Sequence, residues 1–303
     1  TINNPTTNTG TVIFTGANTY SGTTTISAGT LQIGSGSTAG ALGSGAVTNN
    51  AALIFNRSND FTVSNTISGT GSVTKEGSGK LTLSTGQSTY SGGTTVNSGT
   101  LILNDIYNNS NGVILGVLNV NANGIVQLTG STSAFGWSGN RVSTLNINGG
   151  LVEVVGNVQH IWSLTLNFNG GGTLRSNGGT SSNSTTSYWE WGGVTVNVTN
   201  PSAEALIAGR INLRADHGAS TFTIADGVAT NDLLVSAAMT DANASYPMGF
   251  IKAGAGTMTV SGANTNTGAI TVNAGTLAVT NATGLGTTAG GVTVASGAIL
   301  DLQ

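Results

Sequence analysis

The chain has 303 residues and a net charge of −3, and only 6% of its residues are charged, whereas 47 are Gly, 3 are Pro and none is Cys. Eight Lys and Arg scattered between Arg57 and Lys252 cannot form the basic stripe that neutralises phosphates, which excludes nucleic acid as a partner. The absence of Cys removes disulfides, thiolate metal sites and cysteine nucleophiles. No apolar run approaches the roughly 20 residues of a membrane helix, so no membrane insertion by this chain is expected. No basic-then-apolar leader opens it and Thr1 is not a start Met, so it reads as a processed or excised part of something longer.

In chain order, Thr11-Val-Ile-Phe14 leads into the segment TGANTYSGTTTISAGTL at 15–31. ALGSGAV follows at 41–47, and Ala51-Ala-Leu-Ile-Phe55 after it. KEGSGKLTL at 75–83 then introduces a second copy of the first segment, TGQSTYSGGTTVNSGTL, at 85–101. Between Asn104 and Phe250 repetition weakens, but short alternations of apolar and Thr/Asn/Ser residues continue at 117–120, 145–147, 151–154, 164–166 and 194–198. KAGAGTMTV at 252–260 restores the motif and precedes a third copy, SGANTNTGAITVNAGTL, at 261–277, followed by GLGTTAGGV at 284–292.

Each alternation predicts a strand with one side to a core and one to water. Asn-Gly pairs at 111–112, 123–124, 148–149, 169–170 and 177–178 predict turns. Helix is excluded by the density of Gly, each costing about 1 kcal/mol relative to Ala inside a helix. Strands this short, with variable insertions between them, predict a right-handed parallel β-solenoid of about 12 to 15 coils. At about 4.8 Å per coil that is a body of roughly 60 to 70 Å. Ile26, Leu31, Val96, Leu101, Val272 and Leu277 are expected to stack inside as aliphatic ladders. The predicted organisation is one continuous solenoid: repeat-rich coils over 1–104, divergent Trp-rich coils over 105–250, and repeat-rich coils over 251–303.

The run KEGSGKLTLSTGQSTYSGGTTVNSGTL at 75–101 resembles the autotransporter-associated β-strand repeat, also called the passenger-associated transport repeat, of large secreted bacterial surface proteins. All three copies keep Gly-Thr-Leu (29–31, 99–101, 275–277) and two keep Thr-Tyr-Ser-Gly (19–22, 89–92). The third has Asn266-Thr-Gly instead, so an aromatic there is not essential to the coil. The resemblance implies an exported β-helical stalk or fibre at the bacterial cell surface, with adhesive or scaffolding roles and no chemistry in the repeats.

Candidate sites concentrate in the divergent middle, which holds all four Trp. Spacings close to one coil would bring Trp137, Trp162 and Trp189 into a column, and with Tyr188 and Trp191 they are candidate contacts for a surface glycan or a ligand on a host or neighbouring cell. The competing expectation is that these rings fill a widened core. In a strand, Trp189 and Trp191 share one side and Glu190 takes the other. No catalytic, cofactor or metal residues are assigned. Glu153 and Glu190 are not a whole number of coils apart, Asp216 and His217 would point to opposite sides of a strand, and two His without Cys make no zinc site. The Gly-X-Gly pairs at 77–79 and 254–256 belong to the coil motif and lack the Gly-Lys-Ser/Thr and helix of a phosphate loop. The expectation is a non-enzymatic extracellular solenoid, a passenger stalk or a subunit associating end to end through open edges. The alternative is a glycan-binding, less readily glycan-cleaving, module.

Overall fold

A computed structural model describes residues 10–84, 87–107, 109–139, 141–176, 187–243 and 247–303. It divides into two compact units, Thr1–Ser143 and Thr144–Gln303. All strand pairs described within them are parallel, and the one helical element among the described residues is the 3-10 turn Ala215–His217. The Asn177–Gly178 turn lies outside the described residues.

In the first unit the strand Thr11–Phe14 pairs with Thr30–Ile33, then in succession with Ala52–Phe55, Ser72–Lys75, the start of Thr94–Asp105 and the start of Gly116–Gly130. A second ladder joins Phe61–Val63, Lys80–Leu83 and the later halves of the two long strands, and a third joins Thr24–Ile26, Val47–Asn49 and Ile67–Ser68. The second unit repeats the scheme from Thr144 to Val294 and from Leu151 to Leu302. Each unit is a parallel β-solenoid, with five turns in the first and six in the second, about 11 turns in all. The count falls below 12 to 15 because coils lengthen. The coil that returns Thr11 to Thr30 is short, whereas the one that returns Val158 to Tyr188 carries an insertion.

Alternation produces the core directly. Leu31, Leu53 and Val73 stack in register, as do Ile33 and Phe55, and the six residues expected inside are all at most 1% exposed. In the second unit Met258, Leu277 and Leu300 form a column of the same kind. The Asn123–Gly124 pair is no turn. It sits within the unbroken Gly116–Gly130 strand, and the bend is absorbed by a register shift between Val96 and Ser98.

The recurring Gly and Lys residues build one corner twice. A Cβ on Gly77 or Gly79 would collide with the carbonyls of Arg57 or Asn59 in the preceding coil, and one on Gly254 or Gly256 with those of Ile224 or Ala225. Gly99 and Gly275, both at positive φ (68° and 66°), nest over those glycines in turn. Inside each corner lies a buried ammonium. Lys75 Nζ donates to the carbonyls of Glu76, Gly77 and Ser98, and Lys252 Nζ to those of Ala253, Gly254 and Ala274 at 2.8–3.1 Å. Gly275→Ala is expected to cost at least about 2 kcal/mol, because it adds positive-φ strain to a Cβ placed 2.5 Å from the Gly254 and Gly256 carbonyls. Urea unfolding measures it, with Gly16→Ala as the near-neutral control, since nothing lies within 4 Å of that position.

The copies differ where their side-chain staples differ. Asn18 Nδ2 donates to Ala41 O (2.7 Å), and the equivalent Asn264 donates to Gly284 O (2.6 Å) while accepting from Met239 N (2.8 Å), so it ties three coils. Ser88 occupies that place in the second copy, and its buried hydroxyl has no partner among the described residues. Tyr20 pairs with Thr24 and Tyr90 with Thr94. In the third copy both partners change together, to Asn266 and Ile270, and Asn266 reaches Met248 O instead.

Candidate functional site

The divergent coils of the second unit carry their own four-stranded parallel sheet: Val158–Trp162, Tyr188–Gly192, Arg210–Arg214 and Ala238–Asp241. Its inner side is largely apolar, with the buried Gln159 as a polar exception opposite Trp189. Trp189 and Trp191 are fully buried there beside Ile211 and Leu213. The other side presents His160, Trp162, Tyr188, Glu190, Arg210 and Arg214, an unusual density of ionisable groups in a chain with 6% charged residues.

Two candidate glycan contacts are thereby corrected: Trp189 and Trp191 share one side by their i, i+2 spacing, and that side faces the core, where the large apolar rings lie in register with Ile211 and Leu213. The expected Trp column also fails. Trp162 pairs with Gly192, and Trp189 with Gln159, since the coil here is lengthened and shifts the register. Trp137 belongs to the first unit, half-buried, its backbone N–H donating to Ser110 O at 3.0 Å. Trp162 and Tyr188 keep part of their surface on the outer side.

Around Trp162 the outer side is occupied by its own neighbours. The His217 ring lies 4.2 Å from the indole, the Arg214 guanidinium 5.2 Å over it, and His160 stacks at 6.2 Å with an interplanar angle of 13°. Gly192 makes this possible, for a Cβ there would stand 2.8 Å from His217 Cβ and 3.0 Å from Trp162. Arg210 covers Tyr188 in the same way, at 4.9 Å. Arg214 bridges Glu190 (2.5 Å) and Asp216 (2.6 Å), and Glu190 also faces His160 at 3.8 Å. Asp216 and His217, expected on opposite sides of a strand, meet at 3.1 Å because the backbone forms a 3-10 turn there. The side-chain hydrogen bond from Arg214 holds the Asp216 carboxyl well below the usual carboxylate range, and Asp216 in turn raises the guanidinium. Both carboxylates are thus engaged by one cation, an arrangement suited to bracing adjacent coils rather than to protonating a leaving group.

Burial lowers the His160 pKa from 6.5, as does Arg214, against the opposing pull of Glu190. The unfolded chain therefore takes up this proton first as pH falls, so stability drops as pH moves down from 6.5. His160→Gln is expected to flatten that decline, measured as the urea midpoint between neutrality and about pH 5.

A second feature had no signal beyond recurring Asn. On the outer side of Val142–Asn148, Thr165–Asn169 and Thr195–Asn200, Asn146, Asn167 and Asn197 stand in register, with Asn167 donating to Asn146 (2.8 Å) and Asn197 to Asn167 (2.9 Å). Asn146, Asn148, Asn167, Asn169 and Thr199 line an open groove of about 410 Å³. No metal-ligating cluster of His, Asp or Glu occurs among the described residues.

Residues 7–33, 73–103 and 250–279 match the passenger-associated transport repeat. The chain carries three passenger-associated transport repeats. The second and third enclose the Lys75 and Lys252 corners, so the ammonium-filled turn is a structural element of these transport repeats. A curated relative, the adhesin BmaC autotransporter of Brucella suis biovar 1 (strain 1330), is 46% identical over 56 residues, covering 18% of this chain and 2% of that adhesin. The chain thus spans a small fraction of the relative's length. No solved structure gives a significant match. The matched transport repeats leave out the coils that carry Trp162 and the Asn groove.

Proposed function

We propose that this chain is a non-enzymatic segment of a secreted bacterial surface protein, a β-solenoid stalk of the autotransporter-passenger kind. The observation that supports it is the transport repeat itself, matched three times, with a buried lysine corner that locks one coil to the next in the second and third matches. Its design is mechanical. Each coil is held by main-chain bonds to its neighbours, and the most polar side-chain cluster spends its charges on internal bridges. Antibodies against the chain, applied to intact cells of the producing bacterium in immuno-electron microscopy, should label the outside of the envelope. Label confined to the cytoplasm would falsify the reading.

End-to-end association belongs to the same proposal. What supports it is the pairing scheme: each coil bonds to the next through parallel main-chain ladders, the kind of pairing by which a second copy could add coils. Sedimentation velocity over a concentration series tests it: growing species support pairing, and an unchanging monomer overturns it.

A further inference from the structure

We propose that the asparagine groove of the second unit binds a neutral oligosaccharide chain, laid across successive coils. This goes beyond the stalk reading, which needs no ligand and survives if the groove takes none.

The lining chooses the chemistry. Asn146, Asn148, Asn167, Asn169 and Thr199 offer amides and a hydroxyl, with no ionisable side chain among them, so nothing in the groove selects a charged ligand. Another groove of about 460 Å³, in the first unit, includes Glu76 and Ile54 and lacks this uniformity. Within the asparagine ladder the amides point one way, each Nδ2 donating to the Oδ1 of the preceding coil. A primary amide has two N–H groups and two acceptor lone pairs, so the ladder engages half the capacity of Asn167 and fixes the direction of the remainder. Asn148 and Asn169 lie two residues beyond Asn146 and Asn167 on their strands, Thr199 two beyond Asn197 past a register shift, and the ladder of Asn146, Asn167 and Asn197 advances one strand at a time, at about 4.8 Å. The result is a preorganised row of donor and acceptor positions at a regular interval. Vicinal hydroxyls, which both donate and accept, complement such a row, and a linear sugar polymer presents them periodically. An extended peptide fits less well. Its affinity comes from pairing with a free strand edge, and Thr165–Asn169 is already paired on both sides. No aromatic ring lines the groove, so each sugar contributes weakly and affinity accumulates along the chain.

Nitrogen-15 NMR of the Asn side-chain amides of the whole chain tests the proposal, with cellohexaose, maltohexaose and mannohexaose as probes. At least one hexamer is expected to shift the Asn146, Asn167 and Asn169 signals, and free glucose to bind about tenfold or more weakly. Asn169 and Thr199 are exposed, so Asn169→Leu and Thr199→Leu should leave the backbone amide spectrum intact away from the groove while weakening the hexamer about tenfold. Four outcomes overturn the proposal: no hexamer shifts these signals, both variants bind unchanged, only a heparin hexasaccharide binds, or an uncharged Ser-Thr-Gly hexapeptide binds more tightly.

Discussion

Lys252→Met is expected to raise the local opening of its coil about a hundredfold, or roughly 3 kcal/mol, because the carbonyls of Ala253, Gly254 and Ala274 lose a buried donor that Met cannot replace. Hydrogen exchange reads this directly at the amides of Asn273 and Thr276, which bond to Lys252 O and Gly256 O. Since each coil contacts mainly its neighbours, the first unit should keep its protection, and Lys75→Met should produce the mirror result there. A pH signature separates the ammonium from the methylene stem. Burial draws Lys252 down to about 8 from 10.5, opposed by Asp232. Between those values the unfolded chain holds more protons, so stability rises as pH climbs through that window, and Lys252→Met should reduce the rise. Unchanged exchange at Asn273 in the variant would show that the corner holds without its lysine.

Trp191→Ala is expected to cost about 3–5 kcal/mol, by lost burial and the cavity left behind. Trp191 is fully buried and stacks at 6.1 Å on Phe222, which meets Phe250 edge-on at 5.7 Å, so three rings span the core between different sheets. Trp191→Phe should cost much less, as it keeps a ring in place and removes an indole N–H that has no acceptor among the described residues. Trp162→Ala, on the outer side, is expected to cost under about 2 kcal/mol. Urea unfolding of the three variants gives the ranking. A Trp162→Ala loss equal to that of Trp191→Ala would contradict the division of this sheet into inner and outer sides.

Both experiments address how so weakly charged a chain is held. Core cations are normally costly, yet two of the three transport repeats place an ammonium in the corner where three carbonyls converge. The cost of burying it is offset by donors for main-chain groups that tight turning would otherwise leave unbonded. Gly-Thr-Leu and Gly-X-Gly follow from the same packing, since a neighbouring coil leaves no room for a Cβ. The divergent coils use a different device, an outer bridge of Arg214, Glu190 and Asp216 around Trp162.

Period-two alternation and the three repeated segments were sufficient, as sequence, to determine parallel coils, the near absence of helix among the described residues and the inward positions Ile26, Leu31, Val96, Leu101, Val272 and Leu277, because strand patterning and turn chemistry are local properties. They also determined that Trp189 and Trp191 share a side, though not which one. Tertiary structure alone decided the rest. Coil length in the divergent region sets which residues become neighbours, and the long return from Val158 to Tyr188 placed Trp162 beside Gly192 and away from Trp189. The same register brought Arg214 to Glu190 from the next coil, and a local 3-10 turn joined Asp216 to His217. The asparagine groove arises likewise from pairing between coils of unequal length, Asn146 to Asn167 and Asn167 to Asn197. In a solenoid, insertions vary the period from coil to coil, so contacts between coils depend on a register that no single strand encodes.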